Sequence, residues 1–171
     1  SDVCSSDLND SGQLGNDSTT GSSVPVTVTG ITTALSVSAG GSHTCAVLSD
    51  HTVQCWGANS FGQLGNGTTV ASSIPVVVEG VAGVLSLSAG GSHTCAVVGT
   101  GTVKCWGAAY AGQLGDGSVS EAPVSSAVAV LALSTATSVS AGLSHTCALL
   151  GDGSVRCWGD NDTGDRKSTR L

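Results

Sequence analysis

His43-Thr44-Cys45-Ala46-Val47-Leu48, followed after a short turn by Val53-Gln54-Cys55-Trp56-Gly57 and then by Gly62-Gln63-Leu64-Gly65, is the stretch that decides the fold. It returns as His93-Thr94-Cys95-Ala96-Val97-Val98 with Val103-Lys104-Cys105-Trp106-Gly107 and Gly112-Gln113-Leu114-Gly115. A third version reads His145-Thr146-Cys147-Ala148-Leu149-Leu150 with Val155-Arg156-Cys157-Trp158-Gly159. His43 and His93 are 50 residues apart, His93 and His145 are 52, and the Gly-Gln-Leu-Gly tags at Gly12, Gly62 and Gly112 fall 50 apart. A period near 50, built from short apolar runs and Gly-rich turns, is that of a four-stranded propeller blade. No window places apolar residues at i, i+3, i+4 and i+7, which excludes a helical repeat.

Outside that motif the chain is 171 residues with 25 Gly, no Met, one Phe, one Tyr and a net charge of −7. Val, Ala and Leu occur in runs of three to six bounded by Ser, Thr and Gly, the pattern of many short strands. No run approaches the roughly 20 apolar residues of a membrane-spanning helix. Inside the repeats the only cations are Lys104 and Arg156, too few for a nucleic-acid groove. An acidic all-β protein without a membrane-spanning segment, not a nucleic-acid binder, is expected.

The repeat register breaks at both ends. Asn9-Asp10-Ser11-Gly12 aligns with Asn59-Ser60-Phe61-Gly62, yet Ser6 and Asp7 stand where Trp and Gly should recur. At the other end Asp160-Asn161-Asp162-Thr163-Gly164 leads to Asp165-Arg166-Lys167-Ser168 in place of Gln-Leu-Gly. Residues 1–8 and 165–171 resemble translated sequencing adapter in its two orientations, and are set aside before the fold is considered. The repeats then occupy residues 9–164, with hairpin motifs at 43–57, 93–107 and 145–159. Genomic sequence coding for Gln-Leu-Gly directly after Gly164 would bear this out.

Residues 9–30 read as the tail of one repeat, with Val24-Pro25-Val26-Thr27-Val28 as an outer strand. Pro25 and Pro75 lack the N–H of a ladder and suit an edge. In the third repeat the spacings around Pro123 differ from those around Pro75. The extra residues are expected around Val128-Ala129-Val130-Leu131-Ala132-Leu133, as a bulge or a longer strand.

Leaving Cys4 aside, the cysteines form three pairs ten residues apart: Cys45/Cys55, Cys95/Cys105 and Cys147/Cys157. A three-residue loop Gly151-Asp152-Gly153, closed by Gly153 in the left-handed region, pairs Leu150 with Ser154 and sets Cys147 opposite Cys157. Counting alternate pairs makes the cysteines a non-hydrogen-bonded pair, with Cα atoms about 4.5 Å apart. That separation is compatible with a cross-strand disulfide. The same register gives the left-handed position to Gly101 and to His51 in the other two hairpins, and His tolerates it. Disulfides, buried thiols and metal ligation compete for these residues. Disulfides rank first, because the Cys-x₂₋₄-Cys knuckles of structural zinc sites are absent. No metal or other cofactor is expected.

His43, His93 and His145 recur without a Ser or acid at triad-like positions, so they are read as structural groups satisfying a turn or a backbone carbonyl, and the chain as no enzyme. Trp56, Trp106 and Trp158 are read as anchors between blades, each with an N–H to satisfy. Asn16, Asn66 and Asn161 each open an Asn-x-Ser/Thr glycosylation pattern. Asp160-Asn161-Asp162 has a calcium-loop flavour but lacks the closing Glu.

The stretches Ala39-Gly40-Gly41-Ser42-His43-Thr44-Cys45, Val53-Gln54-Cys55-Trp56-Gly57-Ala58-Asn59 and Phe61-Gly62-Gln63-Leu64-Gly65-Asn66-Gly67 resemble the repeat of the regulator of chromosome condensation (RCC1) family, and the paired cysteines resemble its extracellular bacterial versions. The resemblance implies a propeller of about seven blades. Three four-stranded blades cannot close such a ring, so a partial, open propeller is expected, with the remaining blades of the same parent chain among its partners. Family members include nucleotide exchange factors for small GTPases on chromatin, and a secreted inhibitor of β-lactamases. The acidic charge and the paired cysteines favour an extracellular or cell-surface recognition module over a cytoplasmic exchange factor. Its candidate contact residues lie after each Trp-Gly: Asn59 and Phe61 in one repeat, Tyr110 in the next. The protein partner itself is unknown.

Overall fold

The computed structural model describes residues 9–161; the two segments read as adapter sequence, together with residues 162–164, lie outside them. Eleven strands and no helix occur among the described residues. The first sheet contains β1 (Ala34–Ala39), β2 (His43–Leu48), β3 (Val53–Gly57) and β4 (Ser72–Val77) in that spatial order. The second repeats it with β5 (Val84–Ala89), β6 (His93–Val98), β7 (Thr102–Ala109) and β8 (Ser120–Ala129). The third contains β9 (Ala136–Ala141), β10 (His145–Leu150) and β11 (Val155–Gly159). All pairings are antiparallel meanders, and the three sheets stack as consecutive blades of an open propeller.

The repeated central hairpins fall at 43–57, 93–107 and 145–159, because each motif joins two alternating apolar runs by a tight loop. The loops are those the sequence predicts. His51, Gly101 and Gly153 have φ of 60°, 113° and 84°. Their N–H groups reach back to Leu48, Val98 and Leu150 at 2.9, 3.2 and 3.0 Å. A residue with positive φ there turns the chain without splaying the strands.

Two cores lie between successive blades. One joins the first and second sheets through Val47, Val53, Leu64, Val84 and Trp106. The other joins the second and third through Val97, Val103, Leu114, Val139 and Leu150. Leu64 and Leu114, the Leu of each Gly-Gln-Leu-Gly tag, are both fully buried. Such burial stabilises by about 2 kcal/mol for each side chain. The tag therefore plugs the seam between its own blade and the next.

Two expectations are corrected. Residues 24–28 form no strand, because a strand exists only against a partner and none pairs with them among the described residues. The extra residues of the third repeat precede Val128 and do not follow it. Val76 and Val128 occupy the same place, opposite Cys55 and Cys105, and each precedes its histidine by 17 residues. Two more residues separate Val128 from Gly115 than Val76 from Gly65. They accompany a β8 that begins early, with Ser120 opposite Ala109. Pro123 is thus no counterpart of Pro75, whose place is held by Ala127.

Candidate functional site

The hairpin register brings each cysteine pair together. Cys45/Cys55, Cys95/Cys105 and Cys147/Cys157 stand directly opposite one another, with Cα separations of 4.0, 4.1 and 4.0 Å and sulfurs at bonding distance. The first two pairs are wholly buried, while Cys157 is exposed at the edge of the third blade.

Around these pairs runs a polar chain that links each blade to the next. Thr94 Oγ1 donates to the Gln63 carbonyl at 3.0 Å, and Trp106 Nε1 donates to the same carbonyl at 2.9 Å. Because the Thr94 hydrogen is committed to that carbonyl, its oxygen accepts from His43 Nε2–H, 2.8 Å away. His93, Thr146, Gln113 and Trp158 repeat the arrangement at 2.9, 3.0 and 2.9 Å. At the start of the chain Thr44 and Trp56 meet the carbonyl of Gln13 in the same way. Each tryptophan N–H thus meets the carbonyl of a tag glutamine more than 40 residues earlier in the chain. The histidines differ: their rings hold a threonine hydroxyl of the next blade, not a carbonyl.

Burial, reinforced by repulsion from His93, lowers the pKa of His43 from 6.5 to about 4. His93 is lowered from 6.5 to about 4 by burial and then by His145. Both rings are therefore neutral at physiological pH, with the proton on Nε2. The Nδ1 atoms of both are buried without a hydrogen-bond partner. Room for the rings comes from Gly40 and Gly90, where a Cβ would approach the His43 and His93 Cε1 atoms to 2.6 and 2.5 Å. These groups join one blade to the next. His145 sits on the exposed side of the last blade.

The contact candidates after Trp-Gly separate into two kinds. Asn59 is fully buried, with Nδ2 donating to Thr68 O and Val70 O at 3.1 and 3.0 Å and Oδ1 accepting from Leu64 N at 2.9 Å. Its reading as a contact residue is corrected: every polar atom is used to shape the loop, as in Asn9 at the equivalent place. Phe61 and Tyr110 remain 36% and 38% exposed. Their rings meet edge to face with centroids 6.1 Å apart, across two blades. Tyr110 Oη lies 3.3 Å from Ser144 Oγ, reaching towards the third blade. Beside Tyr110 an open groove of about 400 Å³ is lined by Ala111, Gly159, Asp160 and Asn161.

Both repeat cations lie flat on the surface. Lys104 Nζ donates to Gly80 O at 2.8 Å and Arg156 to Ala132 O at 3.2 Å. Among the described residues no three His, Cys, Asp or Glu side chains converge as a metal site would need. Sequence reading assigned no role to Thr94, Thr146 or the carbonyls of Gln63 and Gln113. The signal available was their repetition beside His and Leu, but only packing shows that they face one another.

The pattern of the Regulator of chromosome condensation (RCC1) repeat matches residues 8–47 and 50–97, and a second RCC1 repeat pattern matches 35–63, 84–113 and 136–165. No curated protein matches the chain in sequence. Among solved structures it is similar to that of Kap60 bound to yeast RCC1 (Prp20), at 22% identity and a TM-score of 0.68, covering 77% of this chain and 33% of that one. It is also similar to human WBSCR16, at 23% identity and 0.66, covering 74% and 33%. Prp20p from Saccharomyces cerevisiae is similar at 23% and 0.67, covering 75% and 31%. The chain thus spans about a third of the length of these proteins, and at such identities the likeness shows the fold. With its repeats matched over more than half its length, the chain belongs to the RCC1 repeat family.

Proposed function

We propose that this chain is a non-catalytic recognition module of a larger secreted or cell-surface protein, holding a protein partner on the rim that carries Phe61 and Tyr110. The observation behind this reading is the aromatic pair itself. Two half-exposed rings, the only Phe and Tyr of the chain, are braced against each other across adjacent blades. Aromatic side chains of this kind anchor protein interfaces, because they bury a large area with little loss of side-chain freedom. The three cysteine pairs fit an oxidising compartment. In the intact protein the remaining blades of the parent chain would extend the stack.

The test is binding from the extracellular or surface-protein fraction of the source cells, comparing the chain with its Phe61→Ala/Tyr110→Ala variant. Loss of a specific partner by at least tenfold, with the fold intact, supports the rim. Equal retention by both proteins removes it.

A second reading, guanine-nucleotide exchange on a small GTPase, draws on the shared fold with Prp20p, whose structure is described together with its binding to Gsp1p and histones. The net charge of −7 and the carbonyl-bound Lys104 and Arg156 offer little to chromatin. Accelerated release of a fluorescent guanine nucleotide would favour this reading and place the module in the cytoplasm or nucleus; an unchanged release rate leaves the recognition module.

A further inference from the structure

Asn66-Gly67 is the one Asn-Gly step in the chain, and it lies in the loop that leads from the first blade's tag to β4. Asparagine is among the thermolabile residues. It is most reactive before glycine, where no side chain hinders the next backbone nitrogen from attacking the carboxamide carbon. Asn66 is half-buried, while Gly67 and Thr68 are exposed. Thr68 donates to Asn66 Oδ1 from its N–H and from its Oγ1, at 3.3 and 2.9 Å. Those bonds draw electron density from the carboxamide carbon and stabilise negative charge arriving on Oδ1. The Nδ2 atom, which would be the leaving group, is open to solvent and has no acceptor among the described residues. The attacking nitrogen is the part that is restrained: Gly67 N–H donates to Ser125 O of β8, in the second blade, at 3.0 Å. While that bond stands, the nitrogen keeps its proton and its position is set by the neighbouring blade.

The equivalent loops lack this combination. Asp17 N–H is held by Ser73 O at 3.1 Å in the same way, but Asp17 carries a side chain and Asn16 Oδ1 is buried without a partner. In the second blade the place belongs to Asp116, whose carboxylate accepts from Ser118 N–H and Oγ at 3.0 and 2.8 Å. A carboxylate thus shapes the turn as well as an amide does. Asn9 and Asn59 are fully buried, with side-chain nitrogen and oxygen both bonded.

We propose that Asn66-Gly67 is a self-modifying site for which the second blade is the catch: it stays intact while Ser125 holds Gly67 and reacts when that contact between blades opens. Gly67 N attacks Asn66 Cγ, the new C–N bond closes a succinimide ring, and the proton of that nitrogen passes to water. The Cγ–Nδ2 bond breaks, and Nδ2 takes up a proton and leaves as ammonia. Water then opens the ring at one of its two C–N bonds. Nothing is oxidised or reduced, and water is the only co-reactant. One product is aspartate on an ordinary backbone, which leaves the loop as Asp116 has it. The other is isoaspartate, whose main chain runs through the side-chain methylene. That extra backbone atom shifts Gly67 relative to Ser125 O, while Thr68 O and Val70 O are still tied to Asn59 Nδ2. An opening of the seam is therefore recorded as a permanent negative charge, and in the isoaspartate form the seam does not close as before.

The test incubates the intact chain at mildly alkaline pH and reads residue 66 by peptide mass spectrometry, with the Gly67 amide followed in the same samples by hydrogen exchange. Conversion in the folded chain is expected to be at least about tenfold slower than in concentrated urea, the factor that one hydrogen bond supports. Urea below the unfolding midpoint should speed conversion and Gly67 exchange by the same factor, because one local opening frees the nitrogen for both. Asn9, Asn16 and Asn59 should remain amides throughout the folded series. Equal conversion in the folded chain and in concentrated urea overturns the proposal, since the fold then restrains nothing. So does a Gly67 amide that exchanges freely while Asn66 stays intact, since the contact with Ser125 would then not govern the reaction.

Discussion

His43 Nε2 lies 2.8 Å from Thr94 Oγ1, a residue 51 positions further along the chain and in the following blade. The threonine hydroxyl donates to Gln63 O, so the ring must donate to it, and the ring must be neutral inside the core. One repeat interval thus becomes one blade-to-blade bond.

The first consequence is a pH dependence of stability. His43 and His93 titrate at about 4 when folded and near 6.5 when unfolded. The unfolded chain binds more protons between those values, so the stability these residues contribute is present above pH 6.5 and lost as the pH falls towards 4. Each can account for a loss on the order of 3 kcal/mol. Asp50 and Asp152, whose carboxyls are held below 3.8 by Thr52 and Ser154, act only at lower pH. Urea midpoints measured from pH 7.5 to pH 4 should fall steeply; a flat profile would show that the rings are already charged or solvated.

The two ends of the stack provide an internal control for the bond itself. Thr94→Val leaves the His43 Nε2–H buried without an acceptor and should destabilise the chain by about 2 kcal/mol. Thr44→Val removes only the bond to Gln13 O and should cost about half as much. Equal unfolding midpoints for the two variants would mean that the imidazole contributes nothing.

Exposure orders the cysteine pairs. In dilute protein, mild reductant followed by pulse alkylation should open Cys147/Cys157 first, since Cys157 is exposed while Cys95 and Cys105 are wholly buried. Equal rates in dilute protein would place the third hairpin inside a larger buried surface.

The aromatic pair on the rim should be a modest stabiliser. In a double-mutant cycle, Phe61→Ala and Tyr110→Ala should couple by about 1 kcal/mol, the value of an edge-to-face contact. Absence of coupling would mean that the rings move independently in solution and that the rim is less pre-arranged than the 6.1 Å contact indicates.

Local rules account for what was legible in the chain. The apolar run of Cys45 to Leu48 and the loop geometry at His51, Gly101 and Gly153 depend on neighbours a few residues apart, so the hairpins, their register and the opposed cysteines follow from sequence. Asn59 misled because its position after Trp-Gly resembles an exposed loop, whereas its burial depends on carbonyls at Thr68 and Val70 that fold back over it. Pro123 misled for a similar reason: it lies on the outer strand of its own sheet, as Pro75 does on that of the first, but four residues before the place that matches Pro75.

By itself, then, the sequence determined the period, the strand pairs within each blade and the family to which they belong, because those are set by alternation and turn chemistry over short spans. Only the tertiary structure decided which threonine answers which histidine and which carbonyl each tryptophan meets. These contacts join residues about 50 apart, and their energy comes from desolvating polar groups together in a seam that exists only once two blades have packed.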